Sequence, residues 1–324
     1  MDFNDFLNEW NAPSPLMLVH TSGSTGKPKP LLVEKKRMAA SAANTCRFLG
    51  LESGDTALLC MSLDYIAGKM MAVRAIVWGL DLLCVEPSGH PLAGVKGQIG
   101  MAAMVPMQVF NSLQVAEERE QLSRINHLLI GGGAIDESME ATLRSFPNAI
   151  WATYGMTETL SHIALRRING QNASQWFTPF DDVNIKLDGD GCLVIDAPTV
   201  CADTLHTNDI AEIAQDGRHF RIIGRKDNVI CSGGIKMQIE EMEKNVKPEM
   251  LFPFLITKKK DPKFGEIVVL LTEDDDLERA KQACEKALPK YQHPKLYIHV
   301  ERIPMTKTGK PARAEAMKMA SEKA

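Results

Sequence analysis

Three times in the first half of the chain a short apolar run ends in a cluster of glycine and hydroxyl residues. This pattern restricts the fold more than any other feature. The runs at 16–19, 127–130 (HLLI) and 149–154 lead into TSGSTGKPK at 21–29, Gly131-Gly132-Gly133, and Gly155-Met156-Thr157-Glu158-Thr159. Between them, spacing predicts helices over 31–50, 66–78 and 136–146, and further strands at 55–61 and 82–86. Strands alternating with helices in this rhythm imply βαβ units, a mostly parallel sheet and an α/β fold. In such sheets ligands bind at the carboxyl ends of the strands, so the three turns are expected to line one cleft.

The first turn has the chemistry of an anion cradle. Thr21, Ser22, Ser24 and Thr25 stand among Gly23 and Gly26, with Lys27 and Lys29 close by. Glycine lets the backbone approach a ligand and turn successive amides toward one set of oxygens, and lysine adds a mobile positive charge. The Walker pattern requires Gly five residues before its Gly-Lys pair and Ser or Thr after the Lys; positions 21 and 28 are Thr and Pro. Taken alone, the stretch reads equally as a solvated turn.

From about residue 184 the texture changes to short alternating pieces, VNIKL, CLVID, IAEIA and HFRIIG, separated by Asp/Gly turns, which predict antiparallel β structure. A charged break at 224–228 precedes a smaller α+β block, with helices near 238–246 and 276–288 and strands at 251–257, 266–272 and 296–300. The expected organisation is a domain over 1–225 and a smaller one over 226–324, ending in a frayed helix over 314–324.

The net charge of −4 gives no electrostatic reason to expect nucleic acid or an anionic membrane as partner. Seven scattered cysteines without a Cys-x-x-Cys pair argue against a zinc site or a disulfide framework and favour a reducing compartment. The start has no basic segment followed by an apolar one, and the most apolar region, 70–85, is interrupted by Arg74, Gly79 and Asp81. A cytoplasmic protein is expected.

Each later motif has a plain reading. Glu158 suits a helix N-terminus; Asp209, in Thr207-Asn208-Asp209, suits a turn. GRKDN at 224–228 with Ser232-Gly233-Gly234 reads as a surface linker, and PMTKTGK at 304–310 as a solvated loop. Together and in this order, TSGSTGKPK, YGMTE at 154–158, Asp209, GRKD and the loop ending in Lys310 resemble the adenylate-forming superfamily of acyl- and aryl-CoA synthetases, adenylation domains and luciferases. The likeness spans nearly the whole chain.

The resemblance implies an AMP-forming acid–thiol ligase using ATP, Mg²⁺ and coenzyme A. On it, the 21–29 loop embraces the β- and γ-phosphates, with Lys29 as the loop-terminal lysine. The segment 131–134, with Gly131, Gly132 and Gly133, borders adenine and the acyl pocket. Tyr154 stacks on adenine beside Gly155 and Met156, Thr157 bonds the α-phosphate, and Glu158 holds Mg²⁺. Asp209 accepts the ribose hydroxyls, Arg225 contacts ribose or phosphate, and Asp227 is the hinge of a mobile small domain. Lys310 enters the site for adenylation, and Ser232, Gly233 and Gly234 line the thiol tunnel. Typical members carry a substantial subdomain before the phosphate loop; here about twenty residues precede it. The first lobe is therefore expected to be shortened, with homodimer contacts left open.

The segments LLIGGGAID and YGMTETLSHIALRR look most like the o-succinylbenzoate–CoA ligases of menaquinone biosynthesis, whose substrate is an aromatic dicarboxylate. Tyr65 then takes the gate position of the pocket helix. Lys69 or Arg74 meets a second carboxylate, with Ser161 or His162 nearby, although both cations also read as snorkelling side chains and His162 as a capped helix residue. The alternatives are another small aryl- or acyl-CoA ligase, an enzyme loading a carrier protein, and a non-catalytic nucleotide-binding relic.

Overall fold

A computed structural model describes residues 1–20, 30–306 and 311–322. Its largest sheet has seven strands, ordered Asp81–Cys84, Thr56–Leu59, Ile99–Met104, Ile125–Ile130, Ala149–Gly155, His162–Arg167 and Thr178–Pro179. The first five run parallel, the sixth pairs antiparallel with the fifth, and the seventh pairs antiparallel with the sixth. Both faces are covered, which is why Leu128 and Leu129 are buried side by side on one strand. Helices Lys35–Leu49 and Ile66–Trp78 lie on one face through Met38, Ala42, Met71 and Ala72. Helices Pro106–Gln114, Ala116–Ser123 and Glu137–Leu143 cover the other through Val109, Leu122, Met139 and Leu143.

A four-stranded antiparallel sheet follows, Asn184–Leu187, Cys192–Asp196, Leu205–Ile213 and Phe220–Arg225. Beyond a short 3₁₀ turn at Lys226–Asn228 comes a five-stranded sheet whose own apolar clusters gather around Met242, Ile256 and Leu270 and around Leu255, Val269 and Leu271. The molecule is thus an α/β body with a mostly parallel sheet, a small antiparallel β part and a smaller α+β block. Two ion pairs join the block to the helix after Gly133: Lys244 to Glu137 at 2.8 Å, and Lys247 to Asp136. No helix among the described residues is long and apolar enough to cross a membrane.

Several elements differ from the sequence expectation. The helix expected from residue 31 begins at Lys35, because Pro30–Glu34 pairs as a strand with Leu16–His20 before the chain turns; Gly50 closes the helix in the left-handed conformation (φ 67°). The strand Ile99–Met104 and the two helices after it carry too weak a pattern to read in advance. Asp209 sits within a strand, and His162 opens one. The terminal helix Arg313–Glu322 is not frayed: Ala316 and Ala320 are buried, and Arg313 makes two bonds to Glu243 at 2.7 and 2.6 Å.

Candidate functional site

The strand Ala149–Gly155 delivers Tyr154 to the edge between the large sheet and the antiparallel one. The Tyr154 ring meets Phe220 edge-on, with centroids 5.2 Å apart, and lies 5.9 Å from Phe177, while its hydroxyl donates to Asp209 Oδ2 at 2.7 Å. Burial, and then the Asp209 charge, hold the phenol well above its ordinary range, so Tyr154 stays a donor. Asp209 faces Arg225 across the antiparallel pair, and a bulge beside it brings Oδ1 to 3.3 Å from the guanidinium. Arg225 also reaches Asp227 at 3.3 Å, and Asn208 donates to the same Asp227 oxygen at 3.2 Å. Tyr154, Asp209 and the neighbouring Arg225 and Asp227, drawn from three stretches of the sequence, form one continuous set of polar contacts. A carboxylate whose two oxygens both accept is the group that suits a pair of adjacent hydroxyls.

The turn after Tyr154 is tightly made. A Cβ on Gly155 would lie 2.3 Å from the Ser161 carbonyl oxygen, so only glycine fits there. Thr157–Thr159 forms a 3₁₀ turn, pinned where Thr159 Oγ1 accepts from the Met156 amide at 2.9 Å. Leu160 then takes φ 65°, costing roughly 1–3 kcal/mol of backbone strain. The result is a buried Thr157 beside an exposed Glu158. One exposed carboxylate fits Mg²⁺, which takes few protein ligands when phosphates supply the others; the described residues contain no cluster of three metal-ligating side chains. The neighbouring strand ends in Gly131, where a Cβ would lie 2.2 Å from Thr153 Oγ1, and in Gly132 at φ 79°, so both glycine turns emerge at the same carboxyl end.

Behind this turn lies a buried cation. Arg74, 2% exposed, donates from Nη2 to Ser161 Oγ at 2.5 Å and to Thr45 Oγ1 at 3.3 Å. Its buried Nε has no partner, and no carboxylate pairs with it among the described residues. Burial pulls the guanidinium down to about 10, still far above neutral pH, so it stays charged. The nearby Cys46 thiol, pushed up to about 11 by burial, supplies no counter-charge. His162 lies edge-on to Phe180, with Nε2 3.0 Å from Thr45 Oγ1 and Nδ1 3.3 Å from Ser161 Oγ. Burial, and then the Arg74 charge, hold the imidazole well below its ordinary range and therefore neutral.

Two other expected pocket residues do not join this group. Lys69 pairs with Glu9 at 3.0 Å and lies 5.7 Å from the Phe6 ring centroid, so it ties the first helix to the body. Tyr65 is exposed at the start of its helix. Ser232, Gly233 and Gly234 make a hairpin turn in the small block, with both glycines left-handed (φ 57° and 86°). The 21–29 loop, with Thr21, Ser22, Gly23, Ser24, Thr25, Gly26 and Lys29, and Lys310 lie outside the described residues.

The sequence matches the AMP-binding enzyme family over residues 5–196. The chain belongs to that family. A solved acyl-CoA synthetase (AMP-forming)/AMP-acid ligase II-like protein from Dyadobacter fermentans is 33% identical to this AMP-binding enzyme, covers 98% of its chain and 93% of its own, and superposes with a TM-score of 0.66. A 2-succinylbenzoate–CoA ligase of Bacillus mycoides is 24% identical over 97% of this chain and 72% of its own length. The O-succinylbenzoate coenzyme A synthetase of Bacillus subtilis, solved with ATP and magnesium ion, is 20% identical over 92% of this chain and 69% of its own, with a TM-score of 0.75; at that identity the likeness shows the fold.

Within this AMP-binding enzyme the structure adds residues that sequence reading passed over. Phe177 and Phe220 wall the Tyr154 ring and stack on each other at 5.5 Å, and Thr45 joins Arg74 to His162. Thr45 carries one legible signal: with Ser41 it forms a polar pair four residues apart on a buried helix face.

Proposed function

We propose that this AMP-binding enzyme is an AMP-forming acid–thiol ligase for an aromatic acid with a second carboxylate, of the o-succinylbenzoate type, with coenzyme A as acceptor. The observation that carries the substrate reading is Arg74, a buried, permanently charged guanidinium with an unpartnered Nε and no acidic neighbour among the described residues. A buried cation left unpaired is costly, and a substrate carboxylate is the group that offsets the cost. The relatives named for 2-succinylbenzoate support the same class.

In this reading Tyr154, with Phe177 and Phe220 behind it, receives the adenine, and Asp209 exchanges its Tyr154 and Arg225 contacts for the ribose hydroxyls. The 21–29 loop and Lys29 receive the outer phosphates, Thr157 sits by the α-phosphate, and Glu158 holds Mg²⁺. The ion, when bound, offsets phosphate charge. The acid's reacting carboxylate attacks the α-phosphorus, the bond to the bridging oxygen breaks, and pyrophosphate leaves while the ammonium of Lys310 meets the spreading negative charge. A thiolate then attacks the acyl carbon and AMP leaves. We place the domain boundary at 225–226 and the pivot at Asp227, which lets a mobile domain over 226–324 exchange Lys310 for the Ser232–Gly234 turn between the two steps.

The test is pyrophosphate release from Mg-ATP across a panel of acids, with and without coenzyme A. Release that requires o-succinylbenzoate, with a thioester product, is expected. Equal or faster release with monocarboxylates overturns the substrate reading, and ATP binding without release for any acid overturns the ligase reading.

A further inference from the structure

The hydroxyls and the imidazole around Arg74 admit two proton orders, set by the His162 tautomer. Thr45 Oγ1 lies 3.2 Å from the Ser41 carbonyl one helical turn back, an acceptor only. If the Thr45 proton goes there, its lone pairs accept from Arg74 Nη2 and from a protonated His162 Nε2. His162 Nδ1 is then bare and accepts the Ser161 proton, and Ser161 Oγ turns its lone pairs to Arg74 Nη2. Every proton in the chain has an acceptor. The opposite tautomer leaves the Ser161 proton without one among the described residues, one hydrogen bond fewer in a part-buried network.

We propose that Thr45 and His162 are positioning residues for acid selection. Through the Nε2-protonated tautomer of His162 they turn both hydroxyl oxygens toward Arg74 Nη2, fixing the guanidinium so that its remaining N–H groups face the acid's second carboxylate. The inference rests on the proposed use of Arg74. It commits the Ser161 proton to His162 Nδ1, whereas the other tautomer would leave that proton free for the substrate; in both, Ser161 Oγ accepts from Arg74.

Two measurements test it. The first compares o-succinylbenzoate with 4-oxo-4-phenylbutanoate, which lacks the ring carboxylate, in the wild type, Thr45→Val and Thr45→Ser. Thr45→Val is expected to raise KM for the diacid at least tenfold with kcat within threefold, to leave the monoacid unchanged, and to be rescued by Thr45→Ser. A wild type indifferent to the ring carboxylate overturns the acid reading and the relay with it. A selective wild type whose selectivity survives in Thr45→Val overturns the relay alone. The second is nitrogen-15 NMR of labelled histidines, with His162 assigned by its loss in His162→Gln. A neutral ring protonated on Nε2 is expected; a charged ring, or protonation on Nδ1, overturns the proposal.

Discussion

Replacing Arg74 by Met should move stability and activity in opposite directions, which ordinary core substitutions do not do. The guanidinium falls from 12.5 to about 10 on burial. At ~1.4 kcal/mol per pH unit, roughly 3 kcal/mol of desolvation is left uncompensated in the charged form. Methionine has similar length and no charge, so that cost disappears, while Ser161 and Thr45 each lose one donor, about 1 kcal/mol apiece. The net is a gain of about 1 kcal/mol, within the range seen when buried ions give way to apolar side chains, and a melting temperature unchanged or raised by a few degrees. Toward a diacid the loss is large, because truncating one side of an enclosed charge pair costs about 2–5 kcal/mol, or some 30- to 5,000-fold in kcat/KM. Differential scanning fluorimetry without ligand and pyrophosphate release with both acids give the two readings. A clearly lower melting temperature together with equal losses for both acids would make Arg74 a structural cation and refute the reasoning.

Gly155→Ala places a methyl group against the Ser161 backbone; it should lower stability by about 1–3 kcal/mol and cut pyrophosphate release for every acid, and unchanged activity would show that the turn yields freely. Tyr154→Phe removes a donor that Asp209 gives up when the ribose binds; KM for ATP is expected unchanged or lowered, by up to about tenfold for a charge-assisted bond, with an unaltered diacid-to-monoacid ratio. A raised KM would show that the contact persists with nucleotide bound, and an altered ratio would count against the separation of the two subsites. Glu140 is held below its ordinary 4.5 by hydrogen bonds from Arg166 at 3.1 and 2.8 Å. A depressed carboxyl contributes its stability above about pH 4.5 and loses it as the pH falls through its folded value. The difference in urea stability between wild type and Glu140→Gln should therefore shrink from pH 6 toward pH 3, and a constant difference would contradict the pairing.

The parts legible in the sequence are those where local chemistry and tertiary structure agree. The helix over 66–78 and the strand leading into Tyr154 came from apolar runs with glycine punctuation, and the structure keeps them. Pro30–Glu34 does not read as a strand, because LLVE continues into helix-forming residues and only its pairing with Leu16–His20 makes it one. Ile99–Met104, sequence IGMAAM, has small residues in place of the branched ones that mark a strand. Lys69 and Arg74 looked equivalent as cations on an apolar helix, yet five residues turn a helix by about 140°, and one faces Glu9 while the other faces Ser161. Thr45 could not be found from sequence as a partner of Arg74, because nothing local says which helix lies beside which.

The proton chain also constrains how this pocket can drift. Thr45, Arg74 and the Ser161–His162 pair come from two helices and a strand edge that are remote in sequence, and each polar atom in the chain depends on the next. Changing any one takes a partner from its neighbour, so a single substitution disturbs acid selection even where stability is kept. A lineage that acquires a different acid specificity should cross this region by paired replacements, and positions 45, 74, 161 and 162 should be inherited as a block.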